Sequence, residues 1–257
     1  MAKTKKMKIL IDADFLIFQV TEGKLDKMTV FGAEKGKVGS SDYKEPLKPY
    51  KERFKRLVKD IEDAVAVNTL GRFKIKGKTT LLFSDPDGNF RYDLYPQYKQ
   101  NRADSTRGEL FYRLRKWALK KYGYIKGVEA DDQYGYYMGS GKYIGVSMDK
   151  DCIKGVAGVH FNPHYMHMDI VETGELEARN FTYLQSLMGD ATDGITGIPR
   201  VGEKTAIKLL DKHGWDWAGV VKSYEEKGLT EDDAILTMRL VNLHQWDGKR
   251  VNLFKPN

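Results

Sequence analysis

The chain has 257 residues, of which 41% are apolar, and it carries a formal net charge of +7. That length allows one large α/β domain, or one domain with a smaller appendage. No apolar run approaches the roughly 20 residues that cross a bilayer, the N-terminal apolar run is too short for a signal peptide, and the single cysteine, Cys152, excludes an intramolecular disulfide. We therefore expect a cytoplasmic protein, and the basic surplus favours a polyanionic partner.

Three apolar runs that end in acid predict buried strands: KILID (8–12), TTLLFSD (79–85) and YIGVSMDKD (143–151). Apolar residues at steps of three and four predict amphipathic helices over 47–68 and 108–121, and a further helix follows GVEADD. This alternation predicts an α/β fold with a central, mostly parallel sheet that is flanked by helices on both faces. Residues 22–46 are polar and aperiodic, and we interpret them as an exposed insertion.

From about residue 181 the pattern becomes helical, which predicts a sheet domain over 1–186 and a helical subdomain over 187–257. The segment DGITGIPRVGEKTA (193–206) predicts a hairpin between two helices, because Gly197 and Gly202 free the backbone for a tight turn. Amides at the start of the next helix can bind a phosphate, and Lys204 and Lys208 can add charge. An ordinary connector between helices is the alternative.

Carboxylates gather in five separated stretches that fall at predicted strand ends and helix starts. They are Asp12; Asp85; Glu129, Asp131 and Asp132; Asp149 and Asp151; and Asp190 and Asp193. We expect Asp149 and Asp151 to share one side of a strand end, and Asp190 and Asp193 to lie one helical turn apart. Because parallel strands end at one edge of a sheet, the five stretches are predicted to form one site.

So many carboxylates in one pocket would repel each other and have raised pKa values unless cations neutralise them. Oxygen ligands suit Mg²⁺, or Mn²⁺ in its place. Two such ions about 4 Å apart can activate a water molecule and stabilise the leaving oxygen of a phosphodiester. For any single acidic pair, helix capping or surface solvation is the alternative reading.

Cations and aromatic residues alternate in FRYDLYPQYKQNR (90–102). Such a pattern can neutralise phosphates and stack on unpaired bases, although a solvated loop with a few core aromatics has the same composition. The helix over 108–121 carries Arg113, Arg115, Lys116, Lys120 and Lys121 beside its apolar face. That basic face is either solvated or in contact with phosphates.

The strings LYPQYKQNR, GVEADD, VSMDKD and GDATDGITGIPRVGEKTA resemble, in this order, segments of the 5′-nuclease (flap endonuclease) superfamily. The resemblance runs from Asp12 to about Leu210, and the chain looks most like phage-encoded 5′→3′ exonucleases of the podovirus type. It implies a PIN-like 5′-nuclease fold, with a catalytic domain over 1–186 and a helix-hairpin-helix element in the DNA-binding subdomain over 187–257.

The resemblance also implies site residues. The first ion would be held by Asp12, Asp85, Glu129, Asp131, Asp132 and Asp149, and the second by Asp149, Asp151, Asp190 and Asp193. Arg91, Lys99 and Arg102 would handle the substrate near the scissile phosphate, and Tyr98 would stack on a terminal base. The hairpin would hold duplex DNA, in some members with a bound K⁺, through Gly197, Ile198, Val201, Gly202, Lys204 and Lys208. Asp14 and Asp87 compete with Asp12 and Asp85 as ligands.

The implied activity is hydrolysis of phosphodiesters near DNA 5′ ends, at ends, nicks, gaps or flaps, during phage DNA replication or degradation. Asp149, Asp151, Arg91 and Lys99 would carry it, and the products would be 5′-phosphorylated. Only 26 residues (103–128) separate Arg102 from Glu129, so any arch over the site is short. Two alternatives stay open: a primer-removing enzyme that acts on RNA–DNA hybrids, and a non-catalytic structure-specific DNA-binding protein. Replication proteins are further candidate partners.

Overall fold

The computed structural model describes residues 4–22, 46–102, 107–164 and 170–256, so most of the predicted insertion at 22–46 lies outside the described residues. The strands of the central sheet are β1 (Lys5–Asp12), β2 (Phe73–Ile75), β3 (Thr80–Leu82), β4 (Tyr143–Val146), β5 (Gly158–Phe161) and β6 (Ile170–Thr173). β1 pairs in parallel with β2, β3 and β4, and β5 pairs in parallel with β4. β6 adds an antiparallel edge. The prediction of a mostly parallel sheet is confirmed.

The helices of this part are α1 (Asp14–Glu22), α2 (Leu47–Asn68), α3 (Phe90–Leu94), α4 (Glu109–Tyr122), α5 (Ala130–Met138) and α6 (Lys150–Gly155). Ile9 and Ile11 pack into the core formed with α1, α2 and α4. Leu10 points to the other face, where it packs with Tyr134 and Met138 of α5. Successive side chains of a strand point to opposite faces, so both faces of β1 are covered, as predicted.

The parallel pairing brings the carboxyl ends of β1, β3 and β4 to one edge of the sheet. Asp12 is the last residue of β1, and its neighbour in the pairing is Leu82 at the end of β3. α5 starts at the same edge, because the amide of Ala130 donates a 2.9 Å hydrogen bond to the Ser84 hydroxyl just after β3. Acidic residues at these ends are therefore brought together by the fold.

The C-terminal part is helical, with a short two-stranded ribbon. Its elements are α7 (Glu175–Met188), β7 (Gly189–Asp190), β8 (Ile195–Thr196), α8 (Glu203–His213), α9 (Trp217–Glu226) and α10 (Glu231–Val241). The four helices share an apolar cluster that includes Leu187, Leu210 and Tyr224. The predicted boundary at 186/187 falls inside α7, so its position stays a prediction. Within the described ranges, no helix is long and apolar enough to cross a membrane.

Candidate active site

An acidic cleft lies at the carboxyl edge of the sheet and receives side chains from several predicted stretches. Its carboxylates are Glu129, Asp131, Asp149, Asp151, Asp190 and Asp193. Asp12 adjoins them, because its charge acts on both Asp131 and Asp149. The structure thus brings seven of the nine predicted ligands together, and it places the other two, Asp85 and Asp132, elsewhere.

The two carboxylate pairs, 149/151 and 190/193, lie on other elements than the sequence predicted. Asp149 caps the N-terminus of α6, and its carboxylate accepts a 2.8 Å hydrogen bond from the Asp151 amide. The pair therefore sits at a helix start, where the helix dipole favours negative charge, and not on a strand end. Asp190 ends β7 and accepts from the Thr192 amide at 2.7 Å. Asp193 lies in the following turn, so the predicted helical turn is wrong.

Burial and mutual repulsion raise the pKa values of several acids in this cleft. Burial, followed by the charges of Asp14 and Asp149, raises the pKa of Asp12 to about 7. Burial, followed by the charges of Asp149 and Asp190, raises the pKa of Asp151 to about 7 as well. The pKa of Asp131 is raised well above its usual value, first by burial and then by Asp12. These three carboxylates thus lack a compensating positive charge.

The donor chemistry of the cleft fits a hard divalent cation. Its donors are carboxylate oxygens, and Asp151 Oδ1 is buried without a hydrogen-bond partner among the described residues. An unpaired buried acceptor is costly, and a cation would satisfy it. In the part of the chain that the structure describes, no three acidic, histidine or cysteine side chains are arranged to enclose an ion by themselves. Mg²⁺ keeps several of its waters in proteins, so such a cleft can hold it partly through water.

Arg91 has a different role from the predicted one. Its side chain is only 1% exposed, and every guanidinium nitrogen donates within the protein. Nη1 and Nη2 each lie 2.8 Å from an oxygen of Asp132, and Nε donates to the Leu240 carbonyl at 2.7 Å. Nη1 also lies 3.3 Å from Glu129 Oε2. A buried arginine with these partners cannot reach a phosphate, so we correct its assignment to a positioning residue.

The same ion pair removes Asp132 from the cleft. Asp132 is completely buried, and Arg91 engages both of its carboxylate oxygens. Asp132 Oδ2 also accepts from the backbone amide of Glu129, which closes a capping box at the start of α5. The physical reason is helical geometry: neighbours such as Asp131 and Asp132 point about 100° apart, so one faces the cleft and the other the interior.

Asp85 also lies outside the acidic cleft. Its carboxylate accepts from the Gly127 amide at 2.6 Å and from the Asp87 amide at 3.0 Å. With Asp87, Asn89 and Tyr92 it lines a separate hollow. Ser84, one residue earlier, is the side chain that reaches the start of α5. The prediction that Asp85 or Asp87 joins the acidic site is therefore not supported by their placement.

Tyr98 is buried at 2% exposure, where it cannot stack on a terminal base. Its hydroxyl lies 2.8 Å from Glu129 Oε2 and 3.1 Å from Asp193 Oδ2. Its ring packs edge-on against Tyr92 at 5.4 Å between centroids. The predicted stacking role is corrected to one of holding two carboxylates of the cleft. Its neighbours in sequence, Gln97 and Lys99, are polar, so no local pattern indicates that this ring is buried.

Lys99 and Arg102 form a cationic rim beside the cleft. Lys99 Nζ lies 2.5 Å from Glu129 Oε1 and 3.5 Å from Asp193 Oδ2. Burial opposes the charge of Lys99, but Glu129 and Asp193 outweigh it and raise the pKa of this lysine. Arg102 pairs with Asp193 and keeps 48% of its side chain exposed. Both cations stand where sequence reasoning expected substrate-handling groups.

The hairpin region combines packed and exposed residues. Ile198 and Val201 are buried in the apolar cluster of the helical part, so their side chains are unavailable to DNA. Gly197 lies against the backbone of Gly189, where an added Cβ would be 2.4 Å from its nitrogen. Gly202 caps the N-terminus of α8, and Lys204 and Lys208 on that helix are exposed, as is Gly202.

Two residues of the site were missed by sequence reasoning. Ser147 is fully buried, donates to Asp12 Oδ2 at 3.2 Å and accepts from the Asp149 amide at 3.0 Å. Gln185 of α7 hydrogen-bonds to Asp151 and lines the cleft. Ser147 carried a signal, because it lies within the predicted strand run, two residues before Asp149. Gln185 carried none, since nothing local links α7 to α6.

Two sequence relatives match the chain over about half of its length. No family model matches the chain. The 5′-3′ exonuclease of Buchnera aphidicola subsp. Acyrthosiphon pisum is 30% identical over 163 residues, which cover 56% of each protein. DNA polymerase I of Streptococcus pneumoniae serotype 4 is 36% identical over 163 residues, 54% of this chain and 17% of that protein. The chain thus spans little more than half the length of the first of these relatives.

Solved structures share the fold over nearly the whole chain. A bacteriophage T5 flap endonuclease in a complex with DNA and metal ions superposes with a TM-score of 0.60 at 17% identity, covering 93% of this chain and 90% of that one. The T5 5′-exonuclease with bound zinc gives 0.61 at 19% identity, with the same coverage. These structures show that the chain has the fold of the phage 5′-exonuclease and flap endonuclease, and its sequence is similar to a 5′-3′ exonuclease over about half of its length.

Proposed function

We propose that this chain is a divalent-metal-dependent 5′→3′ exonuclease that hydrolyses phosphodiesters near DNA 5′ ends and leaves 5′-phosphorylated products. The observation that carries the proposal is the acidic cleft, in which Asp12, Asp131 and Asp151 have raised pKa values and Asp151 Oδ1 has no partner among the described residues. Ionised carboxylates in such a cleft repel each other, and a bound cation offsets that repulsion. Two relatives of this chain are named 5′-3′ exonuclease.

Mg²⁺ is the proposed cation, with Mn²⁺ as a substitute. Asp12, Asp131 and Asp149 would hold one ion, and Asp149, Asp151 and Asp190 a second, so that Asp149 belongs to both sets. When bound, such ions supply Lewis acidity toward the phosphate and lower the pKa of water. Glu129 would support the first set while it remains bonded to Lys99 and Tyr98. A K⁺ ion at the 197–202 hairpin is part of the same proposal.

Residues of the chain itself would orient the substrate and balance its charge. Lys99 and Arg102 border the cleft on the side of Asp193, and Arg102 is half-exposed. When a phosphate enters there, Lys99 and Arg102 would bind its oxygens in place of their carboxylate partners. Charge-assisted hydrogen bonds of this kind are strong. Arg91 contributes indirectly, because it fixes Glu129 and Asp132 relative to each other.

The exposed start of α8 would hold the duplex part of the substrate. Gly202 places no side chain over the first turn, and Lys204 and Lys208 stand one turn apart on the exposed face. Helix N-termini bind phosphates through their free amides, and such contacts do not read sequence. We therefore place the duplex along the helical part, 187–257, as a DNA-binding subdomain, with the scissile phosphate in the acidic cleft of the catalytic part, 1–186.

The test is a nuclease assay on 3′-labelled duplexes that carry a recessed 5′ end, a nick, a gap or a 5′ flap. We expect cleavage in Mg²⁺, loss of cleavage in excess EDTA and recovery when Mg²⁺ is restored. The released products should carry 5′ phosphates. Binding without cleavage in Mg²⁺ or Mn²⁺ would overturn the proposal and favour a non-catalytic DNA-binding protein. A matched set with RNA at the 5′ end measures the preference for hybrids.

A further inference from the structure

One face of α4, continued by the segment after it, carries a regular stripe of exposed residues. Its members are four positions apart: Tyr112, Lys116, Lys120 and Tyr124. Residues four apart share one face of a helix, and α4 runs to Tyr122, so the first three lie in line. All four line one groove, which Pro86, Arg115 and Leu119 complete.

Both tyrosines of this groove are unusually open to solvent for aromatic residues. Tyr112 is 55% exposed and Tyr124 is 41% exposed, while Leu119 between them is buried and forms the floor. Large rings usually bury most of their surface, since removing apolar area from water is favourable. Two rings that flank a groove and stay exposed offer flat stacking surfaces to a partner.

The lysines between the rings are exposed cations, and the described residues form no ion pair with Lys116 or Lys120. Two of the four lysines on α2 differ in this respect: Lys55 pairs with Glu52, and Lys59 pairs with Asp63. α4 carries five basic residues against one acid, Glu109. The face is therefore complementary to a polyanion.

We propose that this groove binds a single strand of nucleic acid, with bases stacked on Tyr112 and Tyr124 and the intervening phosphates against Lys116 and Lys120. Aromatic rings alternating with cations suit unpaired bases, whereas a duplex hides its base faces. The helix rises about 1.5 Å per residue, so the eight steps from Tyr112 to Lys120 span about 12 Å. That length suits a few nucleotides of one strand.

The groove also adjoins the edge of the sheet that carries the acidic cleft. Arg115 at its wall donates from Nη2 to the Ser84 carbonyl at 3.0 Å, and its Nε lies 3.8 Å from Asp14 Oδ1. Ser84 in turn accepts from the first residue of α5, and Asp14 is two residues beyond Asp12. A strand in the groove would thus be a single-stranded segment next to the 5′ end, an inference that rests on the proposed function.

The test compares two labelled duplexes by fluorescence anisotropy in EDTA, which prevents cleavage. One duplex is blunt, and the other has a 5′ single-stranded tail, made once in DNA and once in RNA. We expect Tyr112→Ala/Tyr124→Ala to raise the Kd of at least one tailed duplex about tenfold or more, because a stacked base contributes substantially. Tyr112→Phe/Tyr124→Phe should keep the affinity, since the rings remain. The Kd of the blunt duplex should stay within twofold for both variants.

The lysines give an independent readout. Lys116→Ala/Lys120→Ala should reduce the slope of log K against log salt for the tailed duplex by about 1.4, since each single-strand phosphate contact contributes about 0.7. The control Lys74→Ala/Lys76→Ala, exposed lysines at β2, should leave the slope unchanged. If Tyr112→Ala/Tyr124→Ala lost equal affinity for blunt and tailed duplexes, or lost no affinity for either tailed duplex, the proposal would be overturned. Because binding is measured in EDTA, failure of the nuclease proposal would show separately, as absent cleavage in Mg²⁺.

Discussion

Arg91 and Asp132 face each other through two hydrogen bonds of 2.8 Å, and neither side chain is more than 1% exposed. Arg91 belongs to α3 and Asp132 to α5, and the Nε of Arg91 also binds the Leu240 carbonyl on α10. This ion pair therefore joins three elements that are distant in sequence. Because Arg91 also contacts Glu129, the position of a cleft carboxylate depends on the same pair.

Breaking the Arg91–Asp132 ion pair should destabilise the fold, because neither side chain is placed to contact the substrate directly. We expect Arg91→Met to lower the free energy of unfolding by about 3–5 kcal/mol, because it leaves the Asp132 charge unpaired in the interior. The double variant Arg91→Met/Asp132→Leu should recover most of that loss, since both charges are gone. Urea denaturation measures both. An Arg91→Met protein as stable as the wild type, with only cleavage lost, would support a substrate-handling role instead.

The hydroxyl of Tyr98 can be tested without removing its ring. Tyr98→Phe deletes the donor to Glu129 and Asp193, and unsatisfied buried groups of this kind cost about 1–3 kcal/mol. We expect that loss of stability by chemical denaturation, and an unchanged Kd for DNA ends in EDTA. If the ring stacked on a base, Tyr98→Phe would change neither stability nor DNA binding, and Tyr98→Ala would weaken DNA binding at wild-type stability. That pair of results would contradict our assignment.

His160 predicts how stability responds to acid. It is fully buried between the Tyr134 hydroxyl and the Val156 carbonyl, each 2.8 Å away, and burial lowers its pKa to about 4. The unfolded chain binds the proton near pH 6.5, so this contribution to stability is complete above 6.5 and is lost as the pH falls to about 4. The full shift corresponds to about 3 kcal/mol. His160→Gln should flatten this part of the pH profile, and an unchanged profile would contradict the assignment.

Two glycines of the hairpin region should respond differently to one added methyl group. In Gly197→Ala the new Cβ would lie 2.4 Å from the Gly189 nitrogen and the Leu187 oxygen, so the backbone must shift. In Gly202→Ala the Cβ meets nothing within 4 Å, and only the weaker capping ability of alanine matters, about 1 kcal/mol or less. Thermal melts should show a large loss for Gly197→Ala and a small one for Gly202→Ala. Equal losses would contradict this packing.

The sequence was most informative where a local pattern has one structural solution. Acid-terminated apolar runs predicted β1, β3 and β4, and their alternation with amphipathic segments predicted a mostly parallel sheet. The sheet rule then predicted that Asp12 and Asp149 would meet, because parallel strands end at one edge. These predictions needed no knowledge of how distant segments pack.

The sequence was least informative about which polar side chains are buried. Arg91, Tyr98 and Asp132 sit in polar strings, and nothing local distinguishes a solvated arginine from one enclosed by α5 and α10. Asp85 was chosen for its place after an apolar run, but the strand ends at Leu82 and the loop turns that carboxylate toward Gly127. Gln185 enters the cleft only through the packing of α7 against α6. Each of these outcomes depends on tertiary contacts.

The central claim is that the acidic cleft holds the divalent cations for hydrolysis. Its most direct test is cleavage of a duplex with a recessed 5′ end in Mg²⁺ by Asp149→Asn, with Asp85→Asn as the matched control. We predict that Asp149→Asn binds the duplex in EDTA as the wild type does but cleaves at background rate, while Asp85→Asn keeps at least about half of the wild-type rate, because its carboxylate lies outside the cleft. Full activity of Asp149→Asn would contradict the claim.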